Sequence, residues 1–391
     1  MRVVTSQKPA SLRRLDPAAI GPVKVMVVDD SAIARGFVRR WVETEDGMEI
    51  VASLQTAREA LNYLERTDPD VVVLDIEMPD MDGITALPLI LQKRPDVAVI
   101  IASTLTRRNA EISLRALSLG ALDCIQKPDA QGAVTSESYR HALVTRIREL
   151  GARARRVPAI TKIPSVEPAT PKGKSGANIL AFVNTREPIS LRPMPTTAPR
   201  VLVVGSSTGG PQALTEICTR LGPVIDQAPV LITQHMPPTF TSILAEHLAR
   251  ATGRPAQEAE DGEPICAGHI YIAPGHRHFR VARTNGQPVA ILDDAPPVHF
   301  CKPAVDILFS SAAEVWGAWV LGLVLTGMGT DGTGGAADIV ASGGSIIAQD
   351  EATSIVWGMP GSVAQAGLCS SILPLNEIAP AITHIFTGRR A

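Results

Sequence analysis

Through the first 150 residues, short β-branched runs alternate with amphipathic stretches. Val23–Val28 is apolar without alternation, the pattern of a strand covered on both faces. Further strands are predicted at Ile50–Leu54, Val71–Leu74, Val97–Ala102 and Asp123–Ile125. Between them Ile33–Val42, Arg58–Arg66, Ile84–Lys93, Asn109–Leu119 and Tyr139–Leu150 carry helical spacing. Five strands alternating with five helices predict a doubly wound, five-stranded parallel sheet over residues 22–145, after an N-terminal tail at 1–21.

The rhythm then stops. Residues 146–199 hold eight prolines, ten Lys or Arg and three Asp or Glu, a net of +7, with only a brief apolar run at Ile179–Val183. This reads as a Pro-rich, basic linker. From 200 to 388 strand runs return at Val201–Val204, Val230–Thr233, Ile270–Ala273, Val320–Leu325 and Ser345–Ala348. Phe279–Ala282 and Val289–Leu292, with Asn285-Gly286 between them, predict a hairpin inserted in a second, mainly parallel α/β domain.

Composition narrows the partners. The 391 residues are 45% hydrophobic and carry a net charge of −2, which suits filled cores and speaks against a globally basic nucleic-acid binder. Five scattered cysteines form no C-x-x-C pair, so neither a disulfide framework nor a zinc cluster is expected. The N-terminus lacks an apolar core for a signal peptide, and the longest apolar stretch is too short and glycine-broken for a membrane span. A cytoplasmic monomer is expected.

The first strand ends in Asp29-Asp30 and the third in Asp75. Carboxyl ends of neighbouring strands in a doubly wound sheet line one crevice, and three carboxylates there call for a cation; all-oxygen ligation suits Mg²⁺. The fourth strand ends at Ser103 and the fifth leads into Lys127, whose ammonium can neutralise a transferred phosphoryl group. This set resembles the response-regulator receiver domain. The resemblance implies that Asp75 takes phosphate from a histidine kinase, that Asp29, Asp30 and Asp75 hold Mg²⁺, and that Ser103 and Lys127 sense the phosphate. Cys124 stands three before Lys127, where receivers often carry an aromatic ring.

The run Val201–Val204 enters Gly205-Ser206-Ser207-Thr208-Gly209-Gly210 and then a helical stretch. Gly205-x-Ser207-x-Gly209 has the form of a nucleophile elbow, with a helix N-terminus placed to meet an oxyanion. A dinucleotide loop also puts glycines before a helix, but it needs an acidic residue ending the next strand; here that strand ends in Gln234-His235. His235 is thus a candidate base. Asp331, past the strand Val320–Leu325, is the preferred acid, with Asp261, Asp293 and Asp294 as rivals. His276-x-His278 has no third metal ligand nearby in sequence and is expected on the hairpin surface.

Together with Ile232-Thr-Gln-His-Met-Pro-Pro, Tyr271-Ile-Ala-Pro-Gly-His and Leu325-Thr-Gly-Met-Gly-Thr-Asp-Gly, these residues make the chain similar to the chemotaxis protein-glutamate methylesterases. The resemblance implies a phosphorylation-activated hydrolase that demethylates glutamate methyl esters on chemoreceptors and deamidates glutamines there. It assigns Ser207, His235 and Asp331 to catalysis, Thr208 and Met328 to the oxyanion pocket, and no cofactor to the esterase site. Ser206 stands where the family often has alanine, a small change that makes the assignment of Ser207 as the nucleophile worth testing. A binding-only output domain and a transcription regulator are the competing readings. An intact Ser, His and Asp set argues against the first, and the lack of a helix-turn-helix segment against the second.

Overall fold

The structure is a computed structural model that describes residues 21–104, 106–127, 136–156 and 189–388. The predicted tail at 1–21 and the run Ile179–Val183 lie outside these, save Gly21.

Five strands, β1 (Val23–Val28), β2 (Met48–Leu54), β3 (Val71–Asp75), β4 (Ala98–Ser103) and β5 (Asp123–Gln126), form a parallel sheet in the order β2-β1-β3-β4-β5. Central β3 and β4 are buried at every position, which is why their sequences run apolar without alternation. Helices α1 (Ala32–Glu43), α2 (Ala57–Tyr63), α3 (Gly83–Lys93), α4 (Arg107–Ser118) and α5 (Ser136–Arg156) cover the two faces. Ser31, Thr56, Asp82 and Thr106 cap the first four by accepting backbone N–H groups, so each helix starts where the sequence offers a cap.

The second unit has a seven-stranded sheet in the order β14-β13-β12-β6-β7-β9-β8, every pair parallel. Its strands are β6 (Val201–Ser206), β7 (Val230–Gln234), β8 (Ala256–Glu258), β9 (Ile270–Ile272), β12 (Val320–Val324), β13 (Ser345–Gln349) and β14 (Ser371–Leu373). The hairpin is β10 (His278–Thr284) with β11 (Gln287–Asp293); Asn285 and Gly286 both take positive φ, as its two-residue turn requires. Helices α6 (Gly210–Cys218), α7 (Gly222–Ile225), α8 (Phe240–Thr252), α9 (Val305–Trp316), α10 (Thr333–Ala341), α11 (Met359–Gln365) and α12 (Leu375–Thr387) complete it. Edge strands β8 and β14 escaped the sequence reading because Ala256–Glu258 and Ser371–Leu373 are short, part-exposed and partly polar, and so write no apolar run.

The predicted linker needs correction at both ends. Helix α5 continues to Arg156, because Ile147 and Leu150 are fully buried against the first sheet. At the other end Ile189 packs into the second core and Arg192 N–H donates to Cys369 O. Proline and charge content alone concealed both anchored stretches.

The two units pack together. Ala116 and Leu117 of α4 share one apolar cluster with Leu214 of α6 and Leu244 of α8. Gln212 Nε2 donates to the carbonyls of Leu117 and Ala121, at 3.3 and 3.0 Å. An exposed Arg107–Glu246 pair at 2.6 Å adds little.

Candidate active site and acceptor pocket

In the second sheet β6 lies between β12 and β7, and the strand order reverses there: the chain builds β7, β9 and β8 on one side of β6 and later β12, β13 and β14 on the other. A crevice at the carboxyl ends of the strands belongs at such a switch point. Ser207 follows β6, His235 follows β7, and Asp331 lies on the loop between β12 and α10. The structure brings all three together.

The elbow is tight for identifiable reasons. A side chain at Gly205 would strike Val305 of α9, and one at Gly210 would strike Gln234. Gly209 takes φ of 77° to cap α6. Ser206 and Ser207 part company here. Ser206 is fully buried and its hydroxyl donates to Gln234 Oε1 at 2.6 Å, while Gln234 Nε2 returns a bond to Ser207 O at 2.9 Å. Ser207 borders the open cavity.

His235 Nε2 meets Asp331 Oδ2 at 2.8 Å. A carboxylate only accepts, so Nε2 carries the proton and Nδ1 is left to act. Nδ1 faces Cys301 Sγ at 3.6 Å. Burial disfavours the His235 imidazolium, while the adjoining Cys301 sulfur and the Asp331 carboxylate favour it and prevail, shifting the group upward. Asp331 is almost fully enclosed. Burial opposes its charge, but His235 and the N–H groups of Val305 and Asp306 hold its carboxyl below the usual range.

The rivals are engaged elsewhere. Asp261 accepts from Leu292 N–H, Asp293 from Ala295 N–H, and Asp294 pairs with Arg277. The expectation for His278 was wrong. It is fully buried, bonded to Pro296 O and to Ala304 N–H, and serves as a core link rather than a surface residue; His276 is exposed.

Ser207 and His235, with Asp331 buried behind His235, open on a cavity of about 540 Å³ that Thr208 and Met328 also line. Its opposite wall is α5 of the first unit, through His141, Ala142, Thr145 and Arg146. A direct tie joins the two: Thr208 Oγ1 donates to Asp123 Oδ2 at 2.6 Å, and Arg146 Nε donates to the same oxygen at 2.9 Å. Sequence reading missed Gln234, Cys301, Asp123 and Arg146. Gln234 alone carried a signal, as a polar residue closing an otherwise apolar strand.

In the first sheet Lys127 Nζ bridges Asp29 Oδ2 at 2.7 Å and Asp75 Oδ1 at 2.8 Å. Asp29, Asp30 and Asp75 each offer an oxygen within 4.8 Å of the others, an all-carboxylate set that fits a hard divalent cation. Burial pushes Asp75 up to about 6 even though Lys127 pulls the other way. The Ser103 hydroxyl is turned to Ser113 of α4, at 3.1 Å. Cys124 is buried, and burial pushes its thiol far up.

Comparison with known proteins adds to this geometry. Residues 202–382 match the CheB methylesterase family and residues 25–137 the response regulator receiver domain. A protein-glutamate methylesterase/protein-glutamine glutaminase of group 2 operon from Bradyrhizobium diazoefficiens is 55% identical over 381 residues, covering 95% of this chain and 96% of that one. Its counterpart in Rhodopseudomonas palustris is 54% identical and covers 100% of both chains. The crystal structure of the Thermotoga maritima CheB methylesterase catalytic domain is 39% identical over 48% of this chain and 100% of that one, with a TM-score of 0.47.

Proposed function

The chain belongs to the protein-glutamate methylesterase/protein-glutamine glutaminase family and carries a response regulator receiver domain, and on that premise we propose that Ser207 is its nucleophile, His235 its general base and Asp331 the acid orienting the imidazole. The observation that carries this reading is the buried Asp331–His235 bond, set beside Ser207 where β6, β7 and β12 end. Ser207 attacks the γ-carboxyl carbon of a methylated glutamate as His235 Nδ1 takes the hydroxyl proton. Backbone N–H groups around Thr208 and Met328 meet the oxyanion. The imidazolium returns its proton to the leaving methoxide, methanol departs, and water hydrolyses the acyl-enzyme to free glutamate. A glutamine amide follows the same path and releases ammonia.

The substrates are methylated glutamates and specific glutamines of chemoreceptors. The receiver spans 22 to the end of α5, and the catalytic domain begins after the linker. Asp75 accepts a phosphoryl group from a histidine kinase, whose need for ATP supports action in the cytoplasm. Asp29, Asp30 and Asp75 would hold Mg²⁺, which neutralises phosphoryl charge when bound. Lys127 pairs with the new phosphate, and Ser103 turns from Ser113 toward it. Receiver helix α5 walls the cavity in the unphosphorylated chain, so phosphorylation opens the site by loosening that wall.

Methanol release from methylated receptor membranes tests this, with and without acetyl phosphate. Wild type should release methanol faster with the phosphodonor, and Ser207→Ala should release none in either condition. A Ser207→Ala variant that keeps its rate would overturn the assignment.

A further inference from the structure

Cys301 is the nucleophile that the proposed hydrolysis leaves idle, and it stands closer to acid–base machinery than any other cysteine. Its Sγ lies 3.6 Å from His235 Nδ1, and His235 Nε2 is held by Asp331 at 2.8 Å. Cysteine, histidine and carboxylate thus stand in the order used by thiol nucleophiles. The placement is rigid. Val298 and Cys301 exchange backbone bonds of 3.1 and 2.8 Å around a two-residue turn, with His299 and Phe300 at φ of 49° and 62°. Neither residue is glycine, so the surrounding bonds impose this left-handed turn.

Access singles it out as well. Cys124, Cys218 and Cys369 are buried, and burial pushes their thiols up. Cys266 is exposed, and the Tyr271 hydroxyl that accepts its backbone N–H at 3.0 Å is no base for a thiol. Cys301 is part-exposed on the wall of the 540 Å³ cavity, beside Phe300, which is 90% exposed.

We propose that Cys301 is a thiol–disulfide exchange site, activated by His235 and Asp331, that takes small disulfides of the glutathione class. His235 Nδ1 removes the Cys301 proton as Sγ bonds to the nearer sulfur of the incoming disulfide. The S–S bond of that disulfide breaks, and its leaving thiolate takes the proton back from the imidazolium. The products are one mixed disulfide on Cys301 and one free small thiol, and the cystine-level oxidation passes from reagent to protein with no other oxidant. The adduct fills the cavity beside Ser207 and holds the imidazole away from it. This consequence for hydrolysis rests on the proposed role of His235, whereas the reactivity rests on the Cys301–His235–Asp331 geometry alone.

The full-length protein is incubated with oxidised glutathione, and adducts at the five cysteines are timed by peptide mass spectrometry. Cys301 should be modified roughly tenfold faster than exposed Cys266, and His235→Gln should remove that advantage while leaving the Cys266 rate unchanged. Equal rates at Cys301 and Cys266 in the wild-type chain overturn the proposal without need of any variant. A Cys301 rate unaffected by His235→Gln in a folded variant does so too. Methanol release is followed in parallel: it should fall as the Cys301 adduct accumulates and return on adding dithiothreitol. Adduct formation with undiminished methanol release would separate the two claims, leaving the exchange site and removing its control of hydrolysis.

Discussion

Asp306 and Asp331 cap each other's helices. Asp331 accepts the N–H groups of Val305 and Asp306 at 2.7 and 2.9 Å, at the start of α9. Asp306 accepts those of Gly332 and Gly335 at 2.9 and 2.8 Å, at the start of α10. The carboxylate assigned to orient His235 is therefore fixed by a structural duty, with its charge favoured at a helix N-terminus.

This reciprocity separates two similar substitutions. Asp331→Asn should cut turnover by about 10⁴, because an amide no longer imposes the Nε2–H tautomer on His235. Asp306→Asn keeps an acceptor oxygen at its helix end and should hold turnover within roughly tenfold. Steady-state kinetics on both, with thermal melts as a fold control, decide it; equal losses would remove Asp331 from its assigned role.

The adjacent serines give a second contrast. Ser207→Ala should lower turnover by on the order of 10⁴–10⁶ with little change in melting temperature. Ser206→Ala should stay active but lose about 1–3 kcal/mol of stability, since it strips Gln234 Oε1 of its buried donor. An active Ser207→Ala with a dead Ser206→Ala would reverse the assignment.

Asp75 titrates near 6 in the folded chain and near 3.9 when unfolded. Between these values the folded state binds more protons, so stability falls as pH rises from about 4 to 6. In EDTA, Asp75→Asn should be more stable than wild type at pH 7, by up to roughly 3 kcal/mol, and the gap should close below pH 4. Added Mg²⁺ should stabilise wild type alone. Denaturant melts across pH would expose the idea as wrong if the gap were independent of pH.

Asp123 ties the receiver to the elbow through Thr208 and to α5 through Arg146. Asp123→Ala should raise methanol release by the unphosphorylated chain, by roughly 5–150-fold, and shrink the further gain from acetyl phosphate. An unchanged basal rate would show that this contact does not restrain the site.

The sequence by itself showed the inner strands of both parallel sheets, the Asn285-Gly286 hairpin and, through the resemblance its motifs carry, the candidates proposed for catalysis and phosphate acceptance. It could do so because buried parallel strands write uninterrupted apolar runs, and because their chemistry sits within a few residues of each strand end. What tertiary structure alone decided depends on partners distant along the chain. Helix α5 runs past the expected boundary because Ile147 and Leu150 find a sheet to cover. His278 is buried because Pro296 O and Ala304 N–H satisfy it. Ser206 is turned inward by Gln234, Asp123 meets Thr208 across the interface, and Cys301 reaches His235 from 66 positions away. No local pattern encodes such pairings, since each forms only when tertiary packing has fixed the backbones that present the side chains.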